Sequence, residues 1–190
     1  MRLFVAVDPP DGEARALDAA LAARDEQLRW VPPEQWHLTL VFCGEVSPGL
    51  VPELSERLAR GAARTPQFDV RLVAAGSFPK QAARARVLWI GLDGDVDTMT
   101  RLAERCAAAA RRTGVAVEDR PFRPHLTVAR SRRDTVDVRT HVQRLSSYAG
   151  EPWRVTSVRL MHSTLGAQVR HETLAQFPLA DLPLAEGAPS

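Results

Sequence analysis

The strongest constraint on this chain is a pattern that it carries twice. Apolar periodicity alternates between strand and helix signals, and the order strand–helix–strand–helix–strand recurs after about 85 residues. In the first copy, residues 2–8 read as a strand, 13–28 as a helix with Leu17, Leu21 and Leu28 near one face, and 36–42 as a second strand. Ser47-Pro48 opens a helix whose stripe is Leu50, Leu54 and Leu58, and 67–75 alternate as a strand. A turn-rich stretch, 76–85, separates the copies. The second runs through a strand at 86–92, a helix at 95–112 with Met99, Leu102 and Cys106 on one side, and a strand at 124–129. A helix at 134–146 and a strand at 154–161 complete it, and 169–179 add one more strand. The pattern predicts an α+β fold: a bilobal duplicated unit of two mainly antiparallel sheets, with outer helices, around a central cleft. One bilobal domain is expected over 1–182, with repeats at about 1–76 and about 86–179, and a flexible tail at 183–190.

The middle strand of each copy carries the same tetrad, His37-Leu38-Thr39-Leu40 and His125-Leu126-Thr127-Val128. Side chains alternate across a strand, so His37 and Thr39 share one face and Leu38 and Leu40 the other. The second tetrad has the same parity. The aliphatic face is the core face, and the His/Thr face lines the cleft. One such histidine would read as structural. Two, at matching places in two matching halves, read as functional.

Composition narrows what that cleft can do. The chain has 190 residues, 45% apolar and 25% charged, an ordinary globular balance that excludes disordered and fibrous classes. Its formal charge is +2, and Lys80 is the one lysine, so the bases are almost all arginine, whose planar fork suits phosphate. Cys43 and Cys106 lie in apolar patterns and belong to no CxxC pair, as expected of a reduced, cytoplasmic protein. No stretch approaches the roughly 20 apolar residues of a membrane span. No membrane partner is expected, and a monomer is.

Histidine titrates near neutrality, so one ring can accept a proton while the other donates one. Each threonine hydroxyl can donate to a non-bridging phosphate oxygen, and β-branching holds it in place. Two such pairs suit a phosphodiester set between two histidines. Zinc would need three or four His, Cys or carboxylate ligands, and the tetrads supply one His each, so no metal or other cofactor is expected. The serine-hydrolase elbow, the P-loop and the dinucleotide fingerprint are absent from the sequence.

With both tetrads in place, the chain resembles the 2H phosphoesterase superfamily, named for two HxTx motifs. Within it, the chain is most similar to the RNA 2′,3′-cyclic phosphodiesterases, also called 2′-5′ RNA ligases. The resemblance runs through Arg2-Leu3-Phe4-Val5-Ala6-Val7, Trp30-Val31-Pro32-Pro33-Glu34 before the first tetrad, and Phe42 and Gly44 after it. It continues through Phe78-Pro79, Arg86-Val87-Leu88-Trp89, Phe122-Arg123-Pro124 with the second tetrad, Ala129-Arg130, and Ser163, Leu165 and Gly166. It implies hydrolysis of RNA 2′,3′-cyclic phosphate ends to a 2′-phosphomonoester, with RNA ends and nucleotides as partners and a weak reverse ligation. It also implies His37 as proton donor, His125 as proton acceptor, and Thr39 and Thr127 on the phosphate. Two positions depart from the family pattern: Cys43 stands where Leu is frequent, and His171 near a place often aromatic.

Around the motifs, Arg130 is a candidate phosphate contact, although strict alternation from Thr127 would turn it to the core. Arg120, Arg123, Arg132 and Arg133 cluster nearby and can track an RNA backbone or form a solvated surface. Phe122 is the candidate for base stacking. Trp36, Phe42, Trp89 and Trp153 read as core, and His141 as solvent-facing. Two other readings remain at this point: a non-catalytic RNA- or nucleotide-binding module in the same cleft, and a 2H enzyme acting on a small cyclic nucleotide.

Overall fold

The computed structural model describes residues 1–21, 24–118, 121–164, 166 and 169–181. The expectations for Arg120, Leu165 and the tail at 183–190 fall outside them. Nine strands and four helices follow in chain order: β1 (Arg2–Val7), α1 (Asp11–Ala20), β2 (Leu28–Trp30), β3 (Leu38–Glu45), α2 (Val51–Ala62), β4 (Phe68–Phe78) and β5 (Val87–Gly94). Then come α3 (Val96–Arg112), β6 (Leu126–Ser131), α4 (Arg139–Arg144), β7 (Trp153–Val155), β8 (Ser157–Thr164) and β9 (Arg170–Pro178). Among the described residues no helix is long and apolar enough to cross a membrane.

The strands form one curled antiparallel sheet, in the order β7-β4-β5-β6-β3-β1-β8-β9, with β2 added to β6. The expected two sheets are thus joined, but barely: β3 and β6 share the single register pair Leu38↔Leu126. Each side of that seam draws on both halves of the chain. β3 and β1 lie beside β8 and β9, while β4 from the first half lies beside β5. The chain crosses back at Thr156, which splits the single strand expected at 154–161. β7 pairs with β4, and β8 pairs with β1.

Other boundaries moved for local reasons. The helix expected at 13–28 ends at Ala20, because Leu28 to Trp30 find strand partners from Ser131 to Ala129 on β6. Ser47-Pro48 opens a 3-10 turn that runs into α2, without a side-chain cap. β4 continues to Phe78 through the stretch expected to be turns, with a bulge at Ala74 where φ is +45°. The helix expected at 134–146 contracts to α4, since Val136 bridges to Ala85 instead. α3 keeps its expected extent, with Asp95 accepting a hydrogen bond from the Thr98 amide at 2.9 Å.

The core lies between the sheet and the helices. Leu38, Leu40, Leu126 and Val128 share one cluster with Leu54 and Leu58 of α2 and Met99, Leu102 and Cys106 of α3. A second, small cluster of Phe4, Ala6 and Met161 marks the opposite face of the sheet. The aliphatic halves of both tetrads therefore face the helices. Trp36 and Trp153 are in the core, Trp36 donating through Nε1 to the Val31 carbonyl at 2.9 Å. Cys43 and Cys106 are both buried and free.

Candidate active site

Both tetrads open at the seam. Carrying the antiparallel register of Leu38↔Leu126 one residue either way sets His37 across from Thr127 and Thr39 across from His125. The ladder ends there, so the two strands part where the four polar side chains stand. All four are half-buried, between their buried aliphatic neighbours.

The two histidines are held alike. His37 Nδ1 lies 2.8 Å from the Gln35 carbonyl oxygen, and His125 Nδ1 lies 2.6 Å from that of Arg123. A carbonyl only accepts, so Nδ1 carries the hydrogen in each ring and Nε2 is left for chemistry. Each ring also leans on an aromatic neighbour: Phe4 at 4.8 Å from His37, and Phe78 at 4.9 Å from His125. Trp89, expected in the core, is half-buried instead, 5.4 Å from Phe78 and 6.4 Å from His125. It lies across Gly76, where a Cβ would overlap its indole.

Burial makes the imidazolium costly in both rings. His37 is pushed down to about 4, chiefly by burial and further by the charges of His171, Arg130 and His125, against its backbone hydrogen bond. Burial, with Arg130, also lowers His125. The resting site thus holds two neutral imidazoles near pH 7. An anion between them would reverse that balance.

Arg130 reaches this face through a bulge. On β6, Trp89 pairs with Thr127 and Leu88 with Ala129, which leaves Val128 as an extra residue. Val128 and Ala129 are both buried, and Arg130 emerges on the side of Thr127. The first tetrad does the same: Ala6 pairs with Thr39 and Val5 with Val41, so Leu40 is extra. Phe42 emerges in turn, 60% exposed and 6.2 Å from Phe4. Strict alternation had placed Phe42 in the core, and the bulge overturns that. Phe122, the expected stacking residue, packs against the main core, and Phe42 is the open ring, next to the Phe4 that lies against His37.

His171 was not expected as a neighbour of His37, yet the rings are 5.2 Å apart. Its Nδ1 is buried without a hydrogen-bond partner among the described residues, and burial lowers its pKa against the charge of Asp8, which pairs with Arg159. No sequence spacing relates positions 37 and 171. They meet because β9 runs beside β8, and β8 beside β1. Arg123, Arg132 and Arg133 are exposed, and His141 stacks edge-on against Trp30 at 5.5 Å. Among the described residues no three His, Cys, Asp or Glu side chains gather as metal ligands.

This fold and these paired motifs define a class, and comparison with known proteins gives it a name. Residues 5–167 match the model of the 2′-5′ RNA ligase superfamily. An RNA 2′,3′-cyclic phosphodiesterase of Archaeoglobus fulgidus is 32% identical over 167 residues, which cover 87% of this chain and 92% of that protein. One of Geobacillus stearothermophilus is 30% identical over 154 residues, 81% of this chain, although the chain spans only about half its length (48%). A crystal structure of Escherichia coli LigT complexed with 3′-AMP superposes with a TM-score of 0.74 at 28% identity, covering 94% of this chain and 97% of that one. The chain belongs to the 2H phosphoesterase superfamily, in its RNA 2′,3′-cyclic phosphodiesterase family.

Proposed function

We propose that this protein hydrolyses 2′,3′-cyclic phosphate ends of RNA to 2′-phosphomonoesters, without a metal ion, between His37 and His125. The observation that carries the reading is the matched pair of Nδ1-anchored histidines, each two residues from a threonine, at the seam of the sheet. A cyclic phosphate there would take hydrogen bonds from Thr39 and Thr127 and charge from Arg130. Water, losing a proton to His125 Nε2, forms the new P–O bond. The P–O3′ bond breaks in line, and His37 Nε2 delivers its proton to the leaving 3′-oxygen. The phosphate's own negative charge favours the imidazolium that His37 needs. With an RNA 5′-hydroxyl in place of water, the same attack and the same loss of the 3′-oxygen give a weak 2′-5′ ligation.

Phe42 and Arg130 flank the site from the two strands, and we assign them to the terminal nucleoside, the ring by stacking and the guanidinium by charge. That a relative takes 3′-AMP agrees with a site of mononucleotide size. The matching bulges, backbone anchors and aromatic supports favour descent of the two halves from one duplicated unit. The free thiols of Cys43 and Cys106 suit work in the cytoplasm.

The test is an oligoribonucleotide ending in 2′,3′-cyclic phosphate, incubated with the protein in EDTA, with the product identified by chromatography. A 2′-phosphate is expected. A 3′-phosphate, or activity that EDTA abolishes and Zn²⁺ or Mn²⁺ restores, overturns the mechanism.

A further inference from the structure

A second concentration of phosphate-binding chemistry lies away from the histidines. Between α2 and α3 a cavity of about 400 Å³ is lined by five arginines, Arg57, Arg60 and Arg64 from one helix side and Arg105 and Arg112 from the other. These helices pack on the aliphatic face of the sheet, so the cavity is on the far side of the sheet from the cleft. Its floor is small: Gly61 and Ala108 line it, and a Cβ on Gly61 would come 3.8 Å from that of Arg105. Small residues at the crossing let guanidiniums ring an opening where larger side chains would fill it.

Ordinary surface chemistry covers only part of this. Arg57 pairs with Glu53 and Arg60 with Glu56, exposed i,i+4 pairs of the kind that contribute little and exchange partners readily. Arg60 and Arg112 fall in last turns, where a cation complements the helix dipole. Neither account reaches Arg105, which is inside α3 and donates to the Arg64 carbonyl at 2.9 Å and the Thr65 hydroxyl at 2.7 Å. Those bonds hold its guanidinium beside Arg64. Among the described residues, Arg64, Arg105 and Arg112 have no carboxylate at ion-pair distance. Arginines converging on one concavity repel one another, and a multivalent anion relieves that repulsion. Guanidinium is the side chain that grips phosphate oxygens in pairs. The volume is at the lower end of small-ligand sites, which favours a compact ligand over a nucleic-acid backbone.

We propose that the α2–α3 cavity is a second anion site of this protein, taking a compact oligophosphate, free or carried by a nucleotide, through Arg64, Arg105 and Arg112.

The full chain is titrated with inorganic triphosphate, and separately with a nucleoside triphosphate, while backbone amides are followed by NMR. Shifts at residues 57–65 and 105–112 are expected with at least one ligand, and the tighter one identifies the source. R64A/R112A should weaken that binding at least tenfold and leave kcat/KM on a cyclic-phosphate end unchanged, because neither residue belongs to the cleft. Shifts confined to the tetrads overturn the proposal, as does binding by R64A/R112A within twofold of wild type. An oligoribonucleotide with a plain 3′-hydroxyl that shifts 57–65 and 105–112 where neither triphosphate does would overturn it in favour of an RNA surface. None of these outcomes bears on hydrolysis at the cleft, which the product assay tests separately.

Discussion

Phe42 and Arg130 occupy the same place in two different strands. Each is the fifth residue after its tetrad histidine, and each follows a bulge, at Leu40 and at Val128, that turns it from the helical face to the cleft face. One strand thus presents a ring and the other a guanidinium from equivalent backbone positions. If the ring carries the terminal base, Phe42→Ala should raise KM for a cyclic-phosphate end and leave kcat close to wild type. Base–aromatic stacking is worth about 1–3 kcal/mol, which is roughly 5- to 150-fold in KM. The melting temperature should hardly move, since the side chain is 60% exposed. An unchanged KM would return Phe42 to the role of an incidental surface ring.

The acid and the base can be told apart by the leaving group. Both His37→Ala and His125→Ala should cost about 10²–10⁴-fold on an RNA cyclic phosphate, and the double variant far less than the product of the two. A p-nitrophenyl phosphodiester needs no proton on its leaving oxygen. On that substrate His37→Ala should recover most of its lost rate, and His125→Ala should not. Recovery by His125→Ala alone would exchange the two roles.

That Phe42 faces the cleft was hidden in the sequence for a physical reason. Period-two alternation carries no mark of a bulge, and Leu40-Val41 and Val128-Ala129 are apolar pairs that any buried strand could contain. What alternation does give, the polarity of His37, Thr39, His125 and Thr127 against their aliphatic neighbours, holds up to the bulge and fails after it. The same limit explains Arg130, whose parity pointed inward. Local signals also found α3, whose cap and stripe lie within its own residues. They could not find β2, which is three residues long and exists because β6 offers a free edge, nor His171, brought to His37 by strand order alone.

The pH dependence follows from the burial of the rings. His37 is pushed from 6.5 to about 4, and His125 is lowered as well, so both limbs of the kcat/KM profile should lie on the acid side of 6.5. In the complex the phosphate anion favours imidazolium, so the descending limb of kcat should lie at higher pH than that of kcat/KM. Arg130 lowers both rings, hence Arg130→Ala should raise both values, as read by NMR titration. A kcat/KM that climbs to high pH without descending would remove the protonated histidine from the mechanism.

The same burial sets a stability window. His37 takes its proton more readily unfolded than folded, so its contribution is complete above 6.5 and is lost as pH falls toward about 4. Melting temperature should drop across that interval, and His37→Gln should flatten part of the drop. An identical acid limb in the variant would show that His37 does not report on folding.

Gly76 tests the support behind His125. A methyl group there would overlap Cη2 and Cζ2 of Trp89, so Gly76→Ala must move the indole. Trp89 is packed at 5.4 Å against Phe78, which itself lies 4.9 Å from His125, so the displacement passes to His125 through ring contacts. Overpacking of this kind costs about 1–3 kcal/mol, and kcat should fall along with the melting temperature. Trp89→Leu removes the obstacle. Combined with Gly76→Ala it should cost no more stability than Trp89→Leu alone, because the methyl group then has room. The double-mutant cycle reads this directly as a coupling near the full cost of Gly76→Ala. If the two changes add instead, the defect of Gly76→Ala lies in the β4 backbone, and Trp89 has no part in holding His125.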